Sequence, residues 1–224
     1  PKGLPIWKLI LGIIIKTESP CKKFLKTYIV DLPIGVVSQI LEINVCKCGV
    51  HMPVSCGNGL AENQIRDLEK NFSLSFPDDY KDFLSRYNGF VVKQPDFCEF
   101  DYDSVDDGAI AFYALFGYGI SNRNDELVYQ NNEYLDEIDF ISNAFIIGSD
   151  PGGNYFVLVC EGEKKGVYYW DRTHLHSEDD LQKFDINAEN VSGPLYKFSD
   201  NFYDFFERLV INTLSAGMKL YRDL

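Results

Sequence analysis

Residues 76–89, FPDDYKDFLSRYNG, place apolar side chains at Tyr80, Phe83, Leu84 and Tyr87, the i, i+3, i+4, i+7 spacing of a single helix face. Both ends of that helix are marked. Pro77 suits a first helical position, where its missing N–H would have no partner anyway. Asp78 and Asp79 put negative charge at the positive end of the helix dipole, and Asn88-Gly89 supplies a left-handed stop. A helix is also predicted just upstream, over Leu60–Phe72, with Ile65, Leu68 and Phe72 on one face and Glu62, Arg66, Asp67, Glu69 and Lys70 elsewhere. The two form a helical pair.

Beyond Gly89 the pattern is that of strands. Phe90–Val92 and Phe97–Tyr102 read as short strands, and Ala109–Phe116 as an apolar strand ended by Gly117 and Gly119. Asn122–Tyr134 is polar, a short helix or a loop over the sheet. A meander follows: Ala144–Gly148, Gly153–Cys160 after the turn sequence at residues 149–153, and Gly166–Trp170. Val157 and Val159 share one face and Phe156 and Leu158 the other, which predicts a central strand covered on both sides. Three strands joined by short turns are antiparallel. Asp171–Asn190 reads as a polar loop. Ser199 or Asp200 then caps a closing helix with Phe202, Phe205, Phe206, Leu209 and Val210 on its apolar face, and residues 216–224 read as a tail. The order helix–helix, strands, helix predicts an α+β fold: a mostly antiparallel central sheet flanked by an N-terminal helical pair and a C-terminal helix.

Composition adds a ring-rich core and a charge boundary. The chain has 224 residues, 46% hydrophobic, with 17 Phe and 14 Tyr against 2 Trp and 2 Met. Its net charge of −13 argues against a general nucleic-acid binder. Residues 1–51 hold seven Lys against Glu18, Asp31 and Glu42, a net of +4, and residues 52–224 carry −17. That shift predicts an N-terminal extension over residues 1–51, a functional domain over 52–215 and the tail. The apolar run Leu9–Ile15 is too short to span a bilayer and is followed by no small-x-small cleavage site; it reads as a buried element or an unstructured leader. Cys21, Cys46, Cys48, Cys56, Cys98 and Cys160 are not spaced as a disulfide framework, which points to a reducing, cytoplasmic setting.

Candidate chemistry is sparse. Cys46, Cys48, His51 and Cys56 form C-x-C-x2-H-x4-C, ligand types that zinc accepts, in a spacing that matches no common finger; ordinary thiols near a domain junction are the simpler reading. His174 and His176 lie in a polar loop with no third ligand nearby in sequence. Asp96, Glu99, Asp101, Asp103, Asp106 and Asp107 make a dense acidic patch, with Val105 and Asp106 standing where a calcium loop needs Asp or Asn and Gly. No phosphate loop, G-x-S-x-G, H-E-x-x-H or dinucleotide fingerprint is present. The sequence therefore points to no catalysis, metal or cofactor, but to a binding protein.

Taken together, the marked helix with Pro77, Tyr80, Phe83, Leu84, Asn88 and Gly89, the hairpin with Gly148, Asp150 and Gly153, the strand ending Trp170-Asp171, and the closing helix with Phe202, Phe205 and Leu209 resemble the SUKH superfamily, or Smi/Knr family. The resemblance spans about residues 58–211. It departs at Phe76, where the family has Leu, at Pro-Gly-Gly in the hairpin turn, and at Asn154, commonly Asp; the apolar contact and the turn are kept. It implies an α+β fold without catalysis. Bacterial members are similar to immunity proteins that neutralise nuclease or deaminase toxins of polymorphic or contact-dependent systems; fungal members resemble regulators of cell-wall glucan synthesis, the alternative reading. The expected partner is a toxin domain, not nucleic acid or membrane, bound by a monomer. The acidic residues from Asp96 to Asp107, with Glu178, Asp179 and Asp180, are the expected contact surface, since a strongly acidic domain steers onto a cationic one.

Overall fold

In a computed structural model of the chain, residues 26–29, 40–43, 54–94 and 96–224 are described. Among them an eight-stranded sheet has the order β11-β10-β9-β8-β7-β4-β3-β12, from β3 (Val54–Cys56), β4 (Phe90–Val92), β7 (Ala114–Leu115), β8 (Ala144–Ser149), β9 (Tyr155–Val159), β10 (Gly166–Trp170), β11 (Leu195–Ser199) and β12 (Leu220–Arg222). Every pairing is antiparallel except β12 with β3. Two antiparallel pairs stand apart: β1 (Lys26–Ile29) with β2 (Ile40–Ile43), and β5 (Cys98–Asp101) with β6 (Ala109–Phe112). The helices are α1 (Glu62–Phe72), α2 (Asp78–Arg86), α3 (Leu127–Tyr134) and α4 (Phe202–Asn212). The α+β architecture with a mostly antiparallel sheet is the one expected. The run Leu9–Ile15, Cys21, and three of the candidate zinc ligands, Cys46, Cys48 and His51, lie outside the described residues.

Successive residues of a strand face opposite ways, and Tyr155 and Phe156 show what each face of the sheet meets. Phe156 packs on Phe205 of α4 at 5.2 Å between ring centroids and on Phe112 of β6 at 5.7 Å. On the same side, Phe145 of β8 meets Phe72 of α1 at 5.0 Å and Phe76 at 4.9 Å. Tyr155 meets Tyr134 of α3 at 5.3 Å and Trp170 at 5.6 Å on the other side. Strands β8, β9 and β10 are accordingly buried along their whole lengths.

The periodic residues of α2 work as their spacing predicts. Tyr80, Phe83 and Leu84 are buried. The Phe83 ring lies 5.2 Å from Phe202 and 5.1 Å from Phe206, so α2 and α4 share one ring cluster. Asp79 joins them a second way, its carboxylate accepting the Tyr203 N–H at 3.0 Å. The stop is left-handed at both residues, φ 44° at Asn88 and 97° at Gly89. Asn88 also pairs reciprocally with Tyr118: its Nδ2 donates to the Tyr118 carbonyl at 3.0 Å and its Oδ1 accepts the Tyr118 N–H at 2.7 Å.

Local expectations change in five places. Pro77 occupies the cap position, and Asp78 begins the helix. The run Ala109–Phe116 is not one strand. It breaks at Tyr113, whose N–H donates to Ser149 and whose carbonyl accepts from Val92, as the chain passes from the β5–β6 pair into the main sheet. Leu195–Ser199 forms β11 ahead of the closing helix, which moves the cap to Asn201, whose side chain accepts the Asp204 N–H at 2.8 Å. The strand read over Phe97–Tyr102 is shorter and leaves Phe97 outside it. Residues 216–224 are more than a tail, because β12 extends the sheet beside β3.

Candidate functional site

The hairpin turn between β8 and β9 is held by its own side chains. The Asp150 carboxylate accepts the N–H of Gly152 at 2.7 Å and of Asn154 at 2.9 Å through Oδ1, and the Asn154 amide and the Tyr169 hydroxyl at 3.0 Å each through Oδ2. Fully buried Asn154 turns its Oδ1 to the N–H and hydroxyl of Thr173, both at 2.9 Å. Asp171 likewise accepts the N–H of Leu175 at 2.7 Å and of His176 at 2.9 Å. Trp170 is buried, with its indole N–H donating to the Ser192 carbonyl. Burial beside Asp150 pushes the Tyr169 hydroxyl well up from its ordinary range. Gly148 and Gly153 answer to backbone: a Cβ at Gly148 would lie 2.3 Å from the Ala114 carbonyl, and Gly153 has φ 93°. Phe202, Phe205 and Leu209 are buried against the sheet. These groups form structure, each spent on a partner inside the fold.

The acidic residues behave differently. Asp96, Glu99, Asp101, Asp103, Asp106 and Asp107 are exposed, as are Glu178 and Asp180, with Asp179 half-buried. Glu99 and Asp101 share the outer face of β5 while Cys98 and Phe100 point inward. The two acidic segments, distant in sequence, meet. Asp106 accepts the N–H of Asp180 at 2.7 Å and of Leu181 at 2.9 Å, and its own N–H donates to Asp179 at 3.0 Å. The same Asp179 oxygen lies 3.0 Å from His176 Nδ1. Helix α4 holds β5 from behind, Arg208 donating to the Asp101 carbonyl at 2.7 Å and Asn212 to the Glu99 carbonyl at 3.0 Å. The two acidic segments are thus tied to each other at Asp106, and the β5 backbone is held to α4.

At the end of the sheet where β4 and β8 finish and β7 and β9 begin lies an open cleft of about 720 Å³. Asp96 and Phe97 line it ahead of β5, Gln130 and Tyr134 from α3, and Tyr155 and the turn at residues 150–153 from the sheet. Of the expected contact residues, Asp96 alone lines this cleft. Phe97 was missed by sequence reasoning and is 72% exposed. Its signal was available: by strand alternation it belongs with Glu99 and Asp101, so an aromatic ring stood in a row of outward carboxylates. Gln130 and Tyr134 carried no such signal.

The described thiols and histidines are held by the fold. Burial pushes the Cys56 thiol up to about 11 and those of Cys98 and Cys160 to about 12, the opposite of an activated cysteine. His176 is buried against Asp179, and His174 Nε2 lies 3.1 Å from the Val191 carbonyl. Among the described residues no three His, Cys, Asp or Glu side chains converge as metal ligands.

A model of the SMI1 / KNR4 family (SUKH-1) matches residues 59–208. The chain belongs to the SUKH-1 family. Two Bacillus subtilis (strain 168) proteins are similar to it. The SPbeta prophage-derived uncharacterized protein YokK is 29% identical over 133 residues, 53% of this chain and 65% of that protein. The uncharacterized protein YnaB is 30% identical over 124 residues, 48% of this chain and 80% of its own length. The SUKH-1 match takes in α1, α2, the hairpin turn, Trp170-Asp171 and most of α4, together with both acidic segments and the cleft. No described helix is long and apolar enough to cross a membrane.

Proposed function

We propose that this chain is a non-catalytic binding protein, a bacterial immunity protein that neutralises a cognate toxin of the nuclease or deaminase class by covering it. The observation that carries the reading is the locked acidic face. Two segments of like charge repel unless something holds them, and here Asp106 spends its carboxylate on the opposite segment's backbone. A face already fixed loses less entropy when a partner binds. A toxin that grips nucleic acid presents cations to phosphate, and a rigid array of carboxylates offers the same sign of charge. SUKH-1 membership and the prophage origin in the name of one relative are in keeping with a toxin system carried on mobile elements.

The test is co-expression of the chain with the toxin domain encoded beside its gene. The expected result is rescue of growth and a stoichiometric complex whose association rate falls steeply with salt. If no neighbouring toxin domain is neutralised and none is retained by the purified chain, the reading is wrong.

A further inference from the structure

The cleft at the end of the sheet carries a property that the acidic face alone lacks. Phe97 is the most exposed ring on its rim, at 72%, and Asp96 is its immediate neighbour. Opposite, Tyr134 already shows what such a ring can hold: the Arg172 guanidinium lies 4.6 Å from its centroid while pairing through two bonds of 2.7 Å with Glu137. That is an arginine stacked on an aromatic face and clamped by a carboxylate, the arrangement that suits guanidinium and not ammonium. At Phe97 and Asp96 the ring and the carboxylate are present, and among the described residues no cation is held against that ring.

The charge balance of the cleft points the same way. Asp96 and Asp150 bring negative charge, and buried Asp125 lies 3.5 Å from the hydroxyl of Tyr113, a lining residue. Lys93, the cation among the described lining residues, is paired with Asp223 at 3.2 Å. Asp150 contributes charge alone, since its oxygens are taken by the turn, so the acceptor for a ligand donor is Asp96.

We infer that this cleft is the partner's anchoring subsite and that it takes an arginine side chain from a basic protein segment, stacked on Phe97 and paired with Asp96. The inference rests on the reading of the chain as a binder of cationic proteins and names where the specific contact falls. The acidic stripe of Glu99 and Asp101 runs from this cleft toward the Asp106 lock, so a basic segment anchored at Phe97 would continue along it.

The test titrates the purified chain with an acetylated, amidated peptide of four Arg-Gly repeats and with its Lys-Gly counterpart at low salt. The arginine peptide is expected to bind several-fold tighter. Phe97→Ser and Asp96→Asn, both at exposed positions, should each weaken it on the order of tenfold, as loss of an interface anchor does. The double variant Glu161→Gln, Glu163→Gln, at the far end of the sheet, should change it by less than about twofold. Equal binding of both peptides, equal loss from cleft and distant variants, or no binding at millimolar peptide overturns the inference. Toxin rescue separates the two levels. Full rescue by the Phe97→Ser, Asp96→Asn chain would sink the cleft and leave the immunity reading standing. Cleft-dependent arginine binding without rescue from any neighbouring toxin would do the reverse.

Discussion

Asp106 and Asp180 are 74 positions apart in sequence, yet the carboxylate of one accepts the backbone N–H of the other at 2.7 Å. Two acidic residues are thereby placed side by side, with the repulsion between them offset by a charge-assisted bond to backbone. Asp106 makes a second such bond, to Leu181 at 2.9 Å. The β5–β6 hairpin and the loop after β10 are tied at this point.

Removing that tie should loosen the loop without unfolding the core. Asp106→Ala is expected to cost about 1–3 kcal/mol, the range for bonds to a charged acceptor at an exposed site. That would lower Tm by on the order of 5 °C and open residues 177–183 to proteolysis. Asp107→Ala removes the same charge next door and should leave both nearly unchanged. Matching behaviour of the two variants in thermal melts and limited proteolysis would show that the tie holds nothing.

Tyr80 offers a gain in stability. It is 1% exposed and packed between Phe76 and Phe202, and its hydroxyl has no hydrogen-bond partner among the described residues. Tyr80→Phe deletes an unpaired buried polar group and keeps the ring, so a gain of about 1 kcal/mol is expected. Phe83→Ala in the same cluster should lose about 3–5 kcal/mol. Urea midpoints for the two variants should move in opposite directions; a loss for Tyr80→Phe would mean the hydroxyl is satisfied in solution.

What the sequence made legible follows from the range of the forces involved. The face of α2 and the stop at Asn88-Gly89 are set by residues within one or two turns, so spacing alone reveals them. The alternation in β9 is equally local. By contrast, β12 is three residues long and is a strand because Val54 and Ser55 lie beside it across most of the chain. Tyr113 breaks an apolar run because Ser149 and Val92 claim its backbone. The acidic segments were legible as composition, and an outward Phe97 by alternation. The tie at Asp106 and the cleft beside Phe97 were not, since each depends on partners brought together by the fold.

Asp125 links stability to pH. It is 3% exposed, one carboxylate oxygen has no partner among the described residues, and burial raises its pKa above the ordinary 3.8. Lys93, Tyr113 and Asn122 oppose that shift without cancelling it. A raised native pKa means the folded chain binds the proton first, so this group's contribution is greatest below about 3.8 and is lost as pH rises through the native value. Asp125→Asn removes the dependence. Its stability relative to the parent chain should be more favourable at pH 7 than at pH 4 in chemical melts, and a difference independent of pH would rule out Asp125 as the titrating group.

The buried thiols should be inert in the native protein. With pKa values of about 11 for Cys56 and about 12 for Cys98 and Cys160, the thiolate fraction at pH 8 is ~0.001 or less, and burial blocks access as well. Iodoacetamide at pH 8 should leave the peptides carrying these three unmodified by mass spectrometry until the chain is denatured. Fast native labelling of Cys160 would mean that β9 opens locally.

Asn154 tests why the turn beside the cleft carries an amide. Its Nδ2 donates to Asp150 at 3.0 Å and to the Tyr169 hydroxyl at 2.8 Å, while its Oδ1 takes two bonds from Thr173. Asn154→Asp keeps the acceptor and turns the donor into a second carboxylate facing Asp150. Two buried carboxylates at that distance cannot both ionise cheaply, so a loss of about 3 kcal/mol at pH 7 is expected. A proton shared between them restores a donor. The new carboxyl therefore has a raised native pKa, and the loss should shrink as pH falls toward the ordinary carboxylate range. Denaturation of the parent and variant chains at pH 7 and pH 4.5 measures this directly. A penalty that stays constant between the two would place the cost in packing and not in the lost proton.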